Sequence, residues 1–135
     1  MTGVHVDRST ITVADIRHSP VMTIRSGDTL WDAWQLMFVS GMRHLAVVDE
    51  GGGSIGVLSD RAILTDLPIT EKHLAGRHVK DVMSSPGNVT DGTCAQAAAS
   101  RMARHSVDAL PIVTDAGRPI AMLTAADLIE WVARD

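Results

Sequence analysis

The chain predicts an α+β fold, close to α/β in character, made of two β-α-β-β-α repeats packed sheet to sheet about a pseudo-two-fold axis. Three observations predict it: an internal repeat, the same order of apolar periodicities in each copy, and a turn-rich connector at the same place in both. At a shift of 66 residues Val13, Asp15, Ser19 and Pro20 fall on Val79, Asp81, Ser85 and Pro86. After a one-residue deletion the shift becomes 65, and Gly27, Ala33, Met37, Leu45, Val48, Ile55 and Leu58 fall on Gly92, Ala98, Met102, Leu110, Val113, Ile120 and Leu123. A fixed period of this kind decides architecture before any local propensity does.

The elements follow in order. A short extended piece, "MTIR" in copy one and "NVT" in copy two, leads through Gly27 or Gly92 to an amphipathic helix, with Asp28 and Thr93 as the expected caps. Leu30, Ala33, Trp34, Met37 and Phe38 recur at helical spacing in the first helix, as do Ala95, Ala98, Ala99 and Met102 in the second. Two apolar runs come next, "HLAVVD" and "SIGVLS", then "ALPIVTD" and "PIAMLT", and the connections "EGGG" and "AGR" make each pair a hairpin. A closing helix begins at "DRAILTDL" and at "AADLIEWVARD". The resulting division is an N-terminal extension over 1–11, a first repeat over 12–66, a linker over 67–78 and a second repeat over 79–135. A three-stranded unit of this size buries little alone, so the two copies are expected to fold together with a ligand-sized cleft between them.

Composition narrows the function. The 135 residues fit one domain, which at this length buries roughly 68% of the unfolded surface. A net charge of -4, three Trp, one Phe and no Tyr offer neither a basic footprint nor a stacking platform for nucleic acid. No stretch approaches a membrane span, the N-terminus lacks the charged start and apolar run of a leader, and the single Cys94 cannot form an internal disulfide. The expectation is a cytoplasmic protein that binds neither nucleic acid nor membrane. The six His have no ligand spacing, so no metal site is expected. No nucleophile has a recognisable partner at motif spacing, so the chain is not expected to be an enzyme. Cys94, at a helix start, reads as a small buried residue among alanines in preference to an activated thiol.

The tandem pattern, the "DVM" at Asp81–Met83, the "LPIV" at Leu110–Val113 and the closing small-apolar-apolar-Thr-x-x-Asp together resemble a pair of CBS domains, the Bateman module, from about Val13 to Asp135. The resemblance implies an adenosine-type ligand between the repeats, two pseudo-symmetric clefts, and modules paired as disc-like dimers. Carried over residue by residue, it gives Thr124 and Asp127 to the ribose, Arg43 and His44 to phosphate, and the backbone of Thr23, Ile24 and Met42 to the adenine. Physically, a carboxylate at a helix start is stabilised by the helix's positive end and accepts hydrogen bonds from a cis diol. Without the family, Asp127 reads as a plain first-turn acid, Arg43 as a solvated strand-edge charge and His44 as a partly buried structural residue. Asn88–Thr90 and Val107–Ala109 are the other candidate adenine set; the expectation is cross-repeat, copy one on the base and copy two on the ribose.

The second, weaker cleft comprises Ser59, Asp60, Val107, Asp108 and Ala109. There Ala62 stands where Asp127 stands in copy two. Losing hydrogen bonds to a charged acceptor costs about 1.5–3 kcal/mol, or roughly 10- to 150-fold in affinity. One ligand per chain is therefore expected. Trp31 and Trp34, with Trp131, exceed what one repeat's inner face holds, which points to a homodimer interface or to ordinary core packing. Two functions fit. One is a stand-alone regulatory and energy-sensing module that binds AMP, ADP or ATP, with S-adenosylmethionine and NADH as further candidates and no obligatory cofactor, and signals to an effector protein in trans. The other is a ligand-independent dimerisation and docking module with vestigial clefts.

Overall fold

The computed structural model describes residues 11–134, so all of the expected N-terminal extension except Ile11 lies outside the described residues. Thr12 N donates to Asp15 Oδ2 at 2.9 Å and opens α1 (Val13–Ile16). Strand β1 (Thr23–Arg25) leads to α2 (Leu30–Ser40), then to the hairpin β2 (His44–Val48) and β3 (Ser54–Ser59). In this first sheet β1 runs parallel to β2, and β2 antiparallel to β3. Three short helices follow: α3 (Asp60–Leu64), α4 (Glu71–Ala75) and α5 (Val79–Val82). The second half has α6 (Ala95–His105), the hairpin β4 (Ala109–Val113) and β5 (Pro119–Thr124), and α7 (Ala125–Ala133).

The two copies differ in their leading strand, and one residue explains why. In the first half Ala46 N donates to Met22 O at 2.9 Å, which extends the parallel pairing. Its counterpart Pro111 has no N–H to donate. "NVT" therefore keeps a single bridge at Val89, where Val89 N donates to Pro111 O at 3.0 Å and Val113 N to Val89 O at 2.8 Å. The expected three-stranded second sheet is reduced to two strands and that bridge.

The lead helices are exchanged between the halves. Val13 and Ile16 of α1 are buried with Val89, Ala95, Ala98 and Leu110 in the core of the second half, and Val13 N donates to Thr93 O. Reciprocally, Val79 of α5 is buried with Leu30, Leu45 and Leu58 in the first half, where its N–H donates to Asp28 O. Arg17 fastens this arrangement with bonds from Nε and Nη2 to the two Asp91 oxygens, at 2.6 and 3.1 Å, and that pairing raises the guanidinium pKa. The segment 67–78 is more than a connector: its α4 buries Leu74 in the first core, and Arg77 bonds Asp66 at 2.9 Å, lowering that carboxyl's pKa. A small cluster of Ala46, Val57, Ala109 and Met122 forms the seam where the sheets face each other.

Two helix expectations shift on contact with the structure. Thr29 and Cys94, not Asp28 and Thr93, cap α2 and α6, accepting from Asp32 N and Ala97 N. Asp28 and Thr93 instead brace the preceding turns, accepting from Arg25 N and Thr90 N at 3.0 and 3.1 Å. Phe38 has helical spacing but is 84% exposed, because the strip of α2 facing the core is completed by Leu30, Ala33 and Met37.

Candidate functional site

Two clefts flank the seam. The larger, 540 Å³, joins Met42, Arg43 and His44, from the turn between α2 and β2 and the start of β2, to Thr124, Ala125 and Ala126 at the start of α7; Ser19, Asp60, Arg61 and Asp108 complete its polar wall. The smaller, 420 Å³, joins Ser106, Val107 and Asp108 to Ser59, Arg61 and Ala62 at the start of α3, with Ser84 and Thr65. The repeat relates the two walls residue by residue, Met42 to Val107 and Ser59 to Thr124; the counterpart of Ala62 is Asp127, which does not itself line the larger cleft. The turn before each second strand needs left-handed backbone, which Gly41 supplies at φ 75° and Ser106 at φ 53°.

Thr124 caps α7 through a reciprocal pair: Asp127 N donates to Thr124 Oγ1 at 3.3 Å, and Thr124 N donates to Asp127 Oδ2 at 2.9 Å. The corresponding Ser59 accepts from Ala62 N at 3.2 Å, but alanine returns nothing. Asp127 is thus committed through Oδ2 and only 1% exposed, set behind the cleft wall. Its Oδ1 has no hydrogen-bond donor among the described residues; His18 Nδ1 stands 3.0 Å away but out of hydrogen-bond alignment.

His18 is what the alignment hides. Ser84 and Val57 exchange two backbone bonds of 2.9 Å, while Met122 N, at the position matching Val57, donates to Ser19 O at 3.4 Å. Ser19 therefore corresponds to Ser84, not Ser85, and the extra residue of copy one is His18. The signal was present in the one-residue change of shift, which has to fall somewhere; placing it after Pro20 masked the insertion.

The remaining expected residues divide as follows. Thr124, Met42, Arg43 and His44 meet at the larger cleft, and Ser59, Val107 and Asp108 at the smaller. Thr23 and Ile24 reach neither. The parallel register Thr23↔Ala46 carries β1 away from the His44 end, so Ile24 is buried in the first core and Thr23 borders a separate hollow beside Asp49. Asp60 lines the larger cleft instead of the smaller, drawn there by its N–H bond to Arg43 O. Ala109 is fully buried in the seam. Trp31 and Trp34 are half-buried against the first core. Arg61, to which no role is assigned above, lines both clefts.

The charges nearly cancel. Arg43 and Arg61 face Asp60 and Asp108 in the larger cleft, and His44 Nε2 lies 2.8 Å from Asp108 Oδ1. His44 is thereby tied into the wall shared by both clefts. Among the described residues no cluster of three or more His, Cys, Asp or Glu is placed to hold a metal, and no helix is long and apolar enough to cross a membrane.

A family model described as CBS domain matches residues 13–68 and again 79–134. The chain belongs to the CBS domain family. Homoserine O-acetyltransferase of Methanococcoides burtonii is 33% identical over 116 residues, covering 86% of this chain but 23% of the relative. The CBS pair thus spans about a quarter of the length of that curated relative. Among solved structures, CBSX2 in complex with AMP is similar with a TM-score of 0.72 and 25% identity, over 92% of this chain and 97% of that one. A CBS domain pair in complex with 5′-methylthioadenosine and S-adenosyl-L-methionine shares the fold with a TM-score of 0.77 at 19% identity, over 93% and 98%.

Proposed function

We propose that this CBS pair is a regulatory module that takes one adenosine-containing ligand per chain in the 540 Å³ cleft and signals its occupancy to a partner protein in trans. The observation that carries the reading is that the cleft is built from both halves, Met42 to His44 from one and Thr124 to Ala126 from the other. A ligand there ties the halves together. Its volume lies within the range of small-molecule sites, about 300–1,000 Å³. Signalling requires the ligand to favour one arrangement of the halves over another, since equal affinity for both would transmit nothing.

The near-balance of two guanidinium groups against two carboxylates favours a ligand of low charge. AMP or S-adenosylmethionine suits it better than ATP, whose phosphates would face Asp60 and Asp108 as well as the arginines. Calorimetric titration with AMP, ADP, ATP, S-adenosylmethionine and NADH is expected to give one site per chain, AMP tighter than ATP, and a loss of at least about tenfold in Asp127→Asn. The asparagine keeps an oxygen for the α7 cap. Saturation at two per chain, or AMP binding indifferent to Asp127→Asn, would refute the site; no binding by any of the five would leave the ligand-independent docking reading.

The module is also read as a homodimer through α2. Phe38 and Val39 are 84% and 83% exposed next to the half-buried Trp34, an apolar face of the kind that interfaces cover. Phe38→Asp is expected to weaken self-association at least about tenfold in sedimentation equilibrium, and an unchanged mass distribution would sink the idea.

A further inference from the structure

We propose that His18 is an internal competitor for the ribose position: in the unliganded protein its imidazole covers the free oxygen of Asp127, and a bound ligand's hydroxyl must displace it. This rests on the reading of the larger cleft as an adenosine site and adds a device that the repeat alone does not supply, because His18 is the residue by which copy one exceeds copy two.

Five features place the competitor. Asp127 Oδ2 is held by the Thr124 N–H at 2.9 Å, so Oδ1 is the oxygen left for a ligand. His18 Nδ1 stands 3.0 Å from that oxygen, and Nε2 stands 3.8 Å from Glu130 Oε2, so the ring lies between two carboxylates of α7. The His18 side chain is 61% exposed against 1% for Asp127, which leaves the ring free to turn into solvent while the carboxylate stays fixed. The backbone on either side is anchored, by Arg17 N donating to Val13 O at 2.9 Å before it and by Met122 N donating to Ser19 O at 3.4 Å after it, so opening is a side-chain rotation. Ser19, the next residue, itself lines the cleft, which puts the displaced ring at its edge.

Apparent affinity then equals intrinsic affinity reduced by the fraction of molecules with the ring turned away. The cost falls on ligands that need Asp127 and spares those that do not, so His18 narrows the preference for a hydroxylated sugar over a deoxygenated one.

The test is a titration of the full chain with AMP and with its 2′,3′-dideoxy analogue. His18→Ala is expected to tighten AMP roughly 3- to 10-fold, to leave the dideoxy analogue unchanged, and to give no gain on an Asp127→Asn background. Equal or weaker AMP binding by His18→Ala, with the wild type binding normally, overturns the competitor and leaves the adenosine site standing. An equal gain for AMP and the dideoxy analogue also overturns it, since that is a widened entrance. No binding by either protein overturns the adenosine reading and the competitor together. Independently of any ligand, the His18 ring nitrogen resonances are expected to shift in Asp127→Asn; resonances that do not move would show that the contact is absent.

Discussion

Leu74→Ala is expected to destabilise the fold by about 2–5 kcal/mol, although residue 74 sits in the segment that joins the repeats. Its side chain is fully buried among Leu30, Met37 and Val79, in a core that the first half cannot complete by itself. Truncation leaves a cavity there, and α4 is too short to reseat itself, because Leu74 N bonds Thr70 O and Arg77 N bonds Leu74 O on either side. The control lies in the same segment: Leu67 is 68% exposed, and Leu67→Ala should stay within about 0.5 kcal/mol. Chemical denaturation of both variants checks the pair. Equal midpoints for Leu74→Ala and wild type would show that 67–78 is only a tether.

The architecture was legible because it is written twice. The hairpins, the long helices and the cross-repeat cleft all follow from the shift between copies and the periods of two and about 3.6 residues, both local signals. The unread parts depend on the partner half. The "LPITEKHLAGRH" segment has turn residues at both ends and one buried leucine, so nothing local marks Leu74 as core. Exchange of α1 and α5 is likewise invisible, since Val13 and Val79 look the same whichever sheet they cover. Pro111 was visible, but its effect on "NVT" needed the knowledge that its nitrogen faces the leading strand.

The same division holds in the cleft. Thr124, Met42 and Arg43, expected there from the resemblance to CBS pairs, line it, and so does Arg61, which had no assigned part because its counterpart is Ala126. Thr-x-x-Asp is a capping-box signature as well as a ligand motif. Asp127 serves the cap in this structure through one oxygen, while the other accepts no hydrogen bond among the described residues and lies 3.0 Å from His18 Nδ1. The two readings of that aspartate are therefore compatible, one for each oxygen.

Gly56→Val is expected to cost about 3 kcal/mol or more and to act at the smaller cleft first. A Cβ at Gly56 would lie 2.5 Å from Ser84 O and 3.2 Å from Met83 Sδ, and the nearer atom is backbone that cannot rotate aside. That carbonyl accepts from Val57 N at 2.9 Å while Ser84 N donates back to Val57 O, so relieving the clash breaks the bridge that brings the second lead segment onto β3. The other copy shows the lesser consequence of a methyl group here: Ala121 occupies the matching position, and the crossing chain keeps one looser bond, Met122 N to Ser19 O at 3.4 Å. Gly56→Ala should therefore fall between, at about 1–3 kcal/mol, and Ala121→Gly should change stability by no more than about 1 kcal/mol. Hydrogen exchange locates the damage: in Gly56→Val the Val57 and Ser84 amides should lose protection before the β4–β5 amides do. Ser84 lines the 420 Å³ cleft and is absent from the larger one, so at temperatures where the variant stays folded AMP binding should persist. If Gly56→Val melts with the wild type, the close crossing of Ser84 over β3 is not part of the native fold.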